Sequence, residues 1–160
     1  MKKLFIITAF GIFAGACGSK DKPATESGDA ATTETTETPS TTDPEYDAKR
    51  GVGKFTHVDI KPQLDAAMAD QGQKVYDVKC SSCHKLTEER LVGPGWSGVT
   101  KRRSPEWIMN FVTNTEEMLA KDPQAQAQLE ICLVRMPNQN LSDDDARHVL
   151  EFMRKNDGVK

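Results

Sequence analysis

Two cysteines and a histidine stand close together at Cys80-Ser81-Ser82-Cys83-His84. Thiols three residues apart fit one turn of backbone, and each can add across a vinyl group of one porphyrin. The histidine that follows directly is then held beneath the metal as an axial ligand. Cys-x-x-Cys-His is therefore the attachment signature of a c-type haem, with Cys80 and Cys83 forming thioethers and His84 binding the iron.

Cys-x-x-Cys by itself has other uses, since structural zinc sites and thioredoxin-like redox sites share it. A zinc site would need two further ligands, and the other candidates (Cys132, His57 and His148) have no ligand-like spacing. The motif occurs once in the chain, without internal repeats. We therefore expect one covalently attached haem c.

The N-terminus has the layout of an export signal. Met1-Lys2-Lys3 precedes a short apolar stretch over residues 4–13, and Ala14-Gly15-Ala16-Cys17 follows it. Small residues before a cysteine resemble a bacterial lipobox, although Leu is usual where Ala14 stands. We expect residues 1–16 to be a signal peptide and Cys17 to be lipidated. Ordinary cleavage, leaving Cys17 as a plain thiol, is the alternative.

Residues 17–45 are rich in Thr, Glu and Pro and carry no large apolar side chain. Residues 18–45 hold seven acids and two bases. Such a segment buries too little surface to offset chain entropy, which predicts a disordered linker. Residues 46–160 balance 17 acids against 17 bases, so nothing in the charge indicates nucleic-acid binding.

Helical patterns dominate the rest of the chain, and we expect an all-α domain over residues 66–160 preceded by an extended arm at 46–65. Helix starts are indicated at Asp65, Ser104-Pro105, Asp122-Pro123 and Ser142, the last helix running to about Asn156. Residues 85–103 are expected to form a loop, and Met118 a connection between helices.

Cys132 has no intrachain partner, which favours a small buried helix residue over a redox or intermolecular role.

The order of these elements resembles a class I c-type cytochrome over residues 66–157. The similarity rests on Gly72 and Tyr76 in the first helix, Cys80-x-x-Cys83-His84, Gly93-Pro94, Met136-Pro137 and a C-terminal amphipathic helix. It implies the cytochrome c fold, with about four to five helices around one covalently bound haem. It also implies that the first and last helices cross, with Gly72 and Tyr76 against Leu150 and Met153.

The resemblance assigns further site residues. Met136 is the expected sixth ligand, with Met118 as its rival and His57 as a remote alternative. The carbonyl of Pro94 is expected to accept a hydrogen bond from His84 Nδ1. Trp96 stands where a smaller apolar residue is common. Arg102 and Arg103 would pair with haem propionates or remain solvated, and Trp107 would donate its N–H to a propionate or pack in the core.

The implied function is single-electron transfer without enzymatic activity. Donors would be membrane-associated respiratory complexes, and the acceptor a periplasmic or membrane protein such as a haem-copper oxidase or a nitrous oxide reductase. The protein would be an exported, lipid-anchored monomer. A basic rim of Lys79, Lys85, Lys101, Arg102 and Arg103 could steer an acidic partner. A haem enzyme or gas sensor with an open sixth site, and a fixed relay subunit of a respiratory complex, are the alternatives.

Overall fold

The computed structural model describes residues 46–160, so the predicted signal peptide, Cys17 and the linker lie outside the described residues. Residues 46–160 form six α-helices, without a named strand. The helices are α1 (Ala66–Lys79), α2 (Val99–Arg102), α3 (Pro105–Thr113), α4 (Thr115–Lys121), α5 (Pro123–Cys132) and α6 (Asp143–Asn156). The all-α prediction is confirmed, with one helix more than the four to five expected. None of these helices has the length and apolar character needed to cross a bilayer.

Four of the helices begin at the residues that the sequence indicated. The side chains of Asp65, Ser104, Asp122 and Ser142 each accept a hydrogen bond from the backbone N–H three residues ahead, at 2.8–3.1 Å. Each bond satisfies one of the N–H groups that a helix start leaves without an internal partner. These caps fix the residues at which α1, α3, α5 and α6 begin.

The other two helices were not predicted. α2 lies inside the expected loop and begins after Gly98, whose φ is +71°. Its cap is Asp157, which lies just beyond α6 and accepts from Gly98 N at 2.6 Å and from Thr100 N at 2.8 Å. α4 follows α3 after the single residue Asn114 and contains Met118, so the prediction of a connection at Met118 was wrong.

α1 and α6 pack closely, and Gly72 lies at the contact. A Cβ at Gly72 would collide with the backbone carbonyl of His148 and would lie 2.9 Å from Phe152 Cβ. The ring of Tyr76 also lies against Phe152, with 5.4 Å between centroids. Gly72 and Tyr76 are thus the residues of α1 that contact α6, as the sequence indicated. At Gly72, however, the nearest atoms of α6 belong to His148 and Phe152, and not to Leu150 and Met153.

The arm at 46–65 runs across the helices without forming a strand. Phe55, Val58 and Ile60 are partly buried and pack against the core. The second half of the arm is bound to α6, because Asp65 N donates to Glu151 and Arg154 donates to the carbonyl of Lys61. The arm is thus part of the folded domain.

Candidate functional site

The cysteine motif opens onto a crevice bounded by the loop after His84, by α3, by α5 and by the segment after α5. Three adjoining cavities make up this crevice, and His84 and Met136 line all three of them. The largely apolar walls include Phe111, Leu119 and Leu129. The structure therefore brings the two predicted iron ligands to one common space.

The loop after the motif fixes the ring of His84. His84 Nδ1 lies 2.8 Å from the carbonyl oxygen of Pro94, the geometry that the resemblance implied. Gly93 lies against the ring, because a Cβ there would be 2.8 Å from His84 Nε2. Tyr76 donates its hydroxyl to the carbonyl of His84 at 2.7 Å. Since Nδ1–H donates to Pro94, Nε2 carries the free lone pair that a metal needs.

Burial affects the protonation of two groups of the motif. Burial lowers the pKa of His84, although the hydrogen bond to Pro94 opposes this effect, so the neutral imidazole that ligates iron is favoured. Burial raises the pKa of the Cys80 thiol to about 11. The thiol of Cys80 therefore stays protonated at neutral pH until it forms its thioether. Cys83 is half-buried, and both sulfurs are free in the protein chain itself.

The other candidate ligands are placed elsewhere. Met118 is fully buried, and its sulfur accepts from Val52 N at 3.0 Å on the side of α4 that the arm covers. His57 is exposed on the arm and lies 2.9 Å from Asp59. Met136 is half-buried and lines the crevice. This placement favours Met136 as the sixth ligand.

One of the residues that line the crevice carries an unsatisfied polar group. Trp107 Nε1 is buried without a hydrogen-bond partner among the described residues, and Trp107 lines the crevice together with Arg102 and Arg103. The guanidinium of Arg103 lies over the Trp107 ring, with its Cζ 4.5 Å from the centroid. Buried N–H groups are rarely left without an acceptor, so a negatively charged group of a bound molecule fits here. The propionates of a haem have that chemistry.

The two remaining predicted pocket residues, Trp96 and Arg102, line the crevice and also contact other residues of the protein. Trp96 is buried, lines the crevice and packs on Tyr76 with 4.9 Å between ring centroids. Arg102 donates to the carbonyl of Ser97 at 2.6 Å. Arg102 therefore has a partner in the protein, whereas Trp107 Nε1 has none among the described residues.

Some crevice residues were missed or misread from the sequence. Gln128 on α5 lines the crevice, and no pattern in the sequence marks its side chain. Cys132, expected to be a buried helix residue, is the last residue of α5, is half-buried and also lines the crevice. Ala125, Leu129 and Cys132 are four and three residues apart, so they share one face of α5, and all three line this space.

Comparison with known proteins agrees with the fold. A family model described as cytochrome c matches residues 69–157. A cytochrome c-553-like protein of Synechocystis sp. is 26% identical over 68 residues, which are 39% of this chain and 65% of that protein. The match thus spans somewhat less than two thirds of that relative.

Solved structures are similar over more of the chain. Cytochrome c from Rhodothermus marinus is 35% identical, with a TM-score of 0.64, over 66% of this chain and 90% of that one. An engineered form of the same cytochrome, bound to a carbene intermediate, is 34% identical with a TM-score of 0.60 over the same shares. The chain belongs to the cytochrome c family and is a class I monohaem member with one covalently bound haem c.

Proposed function

We propose that the protein carries single electrons between membrane-associated respiratory donors and a periplasmic or membrane terminal acceptor. The observation that carries this proposal is that His84 and Met136 line the same crevice. His84 and Met136 would together hold the iron and would leave it no position for a substrate. When bound, haem c supplies a one-electron Fe(III)/Fe(II) couple.

Each residue of the crevice has a distinct part in this proposal. Cys80 and Cys83 hold the porphyrin covalently, while Pro94 keeps the His84 ring oriented and more basic. Trp107 Nε1 and the Arg103 guanidinium provide a donor and a positive charge for a propionate. The apolar walls exclude water, which favours the less charged reduced state and raises the reduction potential, as does thioether ligation.

The proposed location rests on the N-terminal sequence. Lipidation at Cys17 would anchor the exported protein to a bacterial membrane, and the linker 17–45 would let the haem domain move between donor and acceptor. A haem-copper oxidase or a nitrous oxide reductase is the acceptor that we propose. A Cys17→Ala variant tests the anchor, because it should move from the membrane fraction to the soluble fraction after cell breakage.

Absorption spectra of the haem-loaded protein test the electron-carrier proposal. We expect a weak far-red Met–Fe(III) band in the oxidised protein and a reduced spectrum that carbon monoxide leaves unchanged. Met136→Ala should lose the band and bind carbon monoxide. Met118→Leu is the matched control, because it removes a buried thioether outside the crevice and should keep the band.

Other results would assign a different function. Ready binding of carbon monoxide by the native protein would show an open sixth site and favour a haem enzyme or gas sensor. Loss of the band in Met118→Leu rather than in Met136→Ala would contradict the ligand assignment. A protein that leaves the membrane only within a larger complex would favour the fixed relay subunit.

A further inference from the structure

The first half of the arm packs against the helices that bound the haem crevice. Hydrogen bonds join residues 46–55 of the arm to α3, α4 and α5. Gly51 in this segment lies against the Trp107 ring, because a Cβ there would be 3.2 Å from Trp107 Cδ1. The cytochrome c family model begins only at residue 69, after the arm. The arm is therefore an addition to the family domain that contacts a residue lining the crevice.

Asp122, at the start of α5, is a fully buried acid that the arm contacts. Its Oδ2 accepts a hydrogen bond from the hydroxyl of Tyr46 at 3.1 Å, and its Oδ1 accepts from Ala125 N at 2.8 Å. Both of these donors are neutral. Glu151, the other buried carboxylate among residues 46–160, is bound instead by two arginines. A buried carboxylate with neutral donors attracts a nearby cation strongly, because little water screens its charge.

Arg103 is a cation that interacts with Asp122. Burial lowers the pKa of Arg103, the Asp122 carboxylate opposes this effect, and the charge of Arg102 adds to it. The Arg103 guanidinium lies over the Trp107 ring and lines the crevice. One guanidinium is thus within the influence of a buried carboxylate and also faces the space that a haem propionate would enter.

The other charged groups on these elements are held by partners or exposed to water. Asp47 pairs with Arg50 at 3.7 Å and is 53% exposed, and Glu117 pairs with Lys121 at 2.9 Å and is 50% exposed. Arg102 donates to two backbone carbonyls of the loop before α2. Water and salt screen exposed pairs, so Asp122 is the acid with the strongest effect on Arg103. Of the remaining charged side chains, Glu106 accepts from Val58 N, and Lys49, Lys54, Lys101, Glu116 and Glu130 are exposed.

We propose that Asp122 is a positioning residue for the bound haem, whose buried carboxylate competes with a haem propionate for the Arg103 guanidinium and thereby lowers the reduction potential. This inference rests on the proposed electron-carrier function and adds a means of setting the potential at that same site. A propionate that shares its cation keeps more negative charge near the iron, which stabilises Fe(III). Tyr46 fixes the orientation of the Asp122 carboxylate, so the arm takes part in setting the potential.

Asp122→Asn tests this competition, because it removes the charge but keeps the helix cap, asparagine being as good a cap as aspartate. The reduction potential of the haem-loaded protein is measured by protein-film voltammetry at neutral pH. We expect the equilibrium constant for reduction of the haem to rise about threefold or more. A merely structural role would give the opposite sign, because a loosened arm would admit water, which stabilises Fe(III) and lowers the potential.

Three further variants separate the charge of Asp122 from its hydrogen bonds. Tyr46→Phe breaks the bond to Asp122 but keeps the carboxylate, so it should not raise the equilibrium constant. Glu117→Gln removes an exposed carboxylate of α4 and should change the constant by less than about 1.5-fold. Arg103→Gln should lower the constant. In the Arg103→Gln background, Asp122→Asn should have less than about half of its effect, because the shared cation is gone.

An unchanged or lower potential in Asp122→Asn would overturn the proposal. An undiminished effect in the Arg103→Gln background would also overturn it, because Asp122 would then act on the iron without Arg103. If Asp122→Asn fails to fold, Arg103→Gln decides alone: a lower potential supports the competition, and an unchanged one shows that no propionate uses this guanidinium. Failure of the electron-carrier function would be seen separately in the native protein, as carbon monoxide binding or the absence of a reversible one-electron couple.

Discussion

The carboxamide of Asn110 pairs with the backbone of Phe55 as a strand neighbour would. Asn110 Oδ1 accepts from Phe55 N at 2.9 Å, and Asn110 Nδ2 donates to Phe55 O at 3.0 Å. The same Nδ2 donates to the carbonyl of Arg50 at 3.0 Å. Asn110 is fully buried on α3, the helix that also carries Trp107. The Asn110 side chain thus makes three hydrogen bonds between the arm and α3, which forms one wall of the haem crevice.

Replacing Asn110 by alanine should loosen this attachment. Two backbone groups of Phe55 and one of Arg50 would lose their partner in a buried place, so we expect a loss of about 2–4 kcal/mol in the free energy of unfolding. Urea denaturation of the haem-loaded protein measures it. Asn114→Ala is the matched control, four residues further along at the end of α3, because the Asn114 side chain makes no capping hydrogen bond. Equal effects of the two substitutions would contradict the role assigned to Asn110.

Gly72→Ala tests the contact between α1 and α6. Alanine would improve helix propensity by up to about 1 kcal/mol, but its Cβ would collide with the carbonyl of His148. The steric cost should exceed the gain in helix propensity, because the backbone of α6 must move. We expect a loss of about 1–3 kcal/mol in stability, seen as a lower midpoint of thermal unfolding. Gln73→Ala, an exposed neighbour, should be neutral or slightly stabilising. A more stable Gly72→Ala variant would show that the two helices separate easily.

Features that depend on neighbouring residues could be predicted from the sequence. Ser104, Asp122 and Ser142 cap helices through the N–H three residues ahead, so the pattern needed nothing from the rest of the fold. The ligand spacing of Cys80, Cys83 and His84 is local in the same way. The fold class could be inferred for this reason.

Features that depend on distant residues could not be predicted. α2 is held by Asp157, which is 59 residues away from Gly98, and no helix signal is present in the segment itself. The helix that contains Met118 has no sequence signal at its start, because α4 has no capping side chain of its own. Gln128 lines the crevice only because of the way α5 packs. The role of Met136 is inferred from the resemblance to a family, through the Met136-Pro137 motif before the last helix, and no local physical rule assigns it.

Glu151 makes stability depend on pH. Burial alone would raise its pKa, but hydrogen bonds from Asp65 N, Arg147 and Arg154 outweigh this effect and lower the pKa below its ordinary value of 4.5. A lowered folded-state pKa stabilises the protein above the unfolded value, and this contribution is lost as the pH falls through the folded value. The carboxylate therefore contributes fully at pH 7 and progressively less below about pH 4.5.

Glu151→Gln should remove this contribution. At pH 7 the variant leaves the buried Arg154 without its charged partner, 2.6 Å away in the native protein, which should cost about 3 kcal/mol. The difference from the native protein should shrink as the pH falls below about 4. Urea unfolding at a series of pH values measures both effects. Asp70→Asn, which breaks an exposed ion pair with Lys155, is the control and should have little effect at any pH.

Trp107→Phe tests whether the unsatisfied indole N–H serves the haem. Phenylalanine keeps most of the packing but removes the donor, so a propionate would lose a hydrogen bond and its negative charge would be less compensated. The uncompensated charge stabilises Fe(III), and the reduction potential should fall by tens of millivolts in protein-film voltammetry. Trp96→Phe is the matched control, because Trp96 is also buried and lines the same crevice, but its N–H is not among the unsatisfied groups. If both substitutions shifted the potential equally, general repacking would explain the change, and Trp107 would be a core residue without a propionate contact.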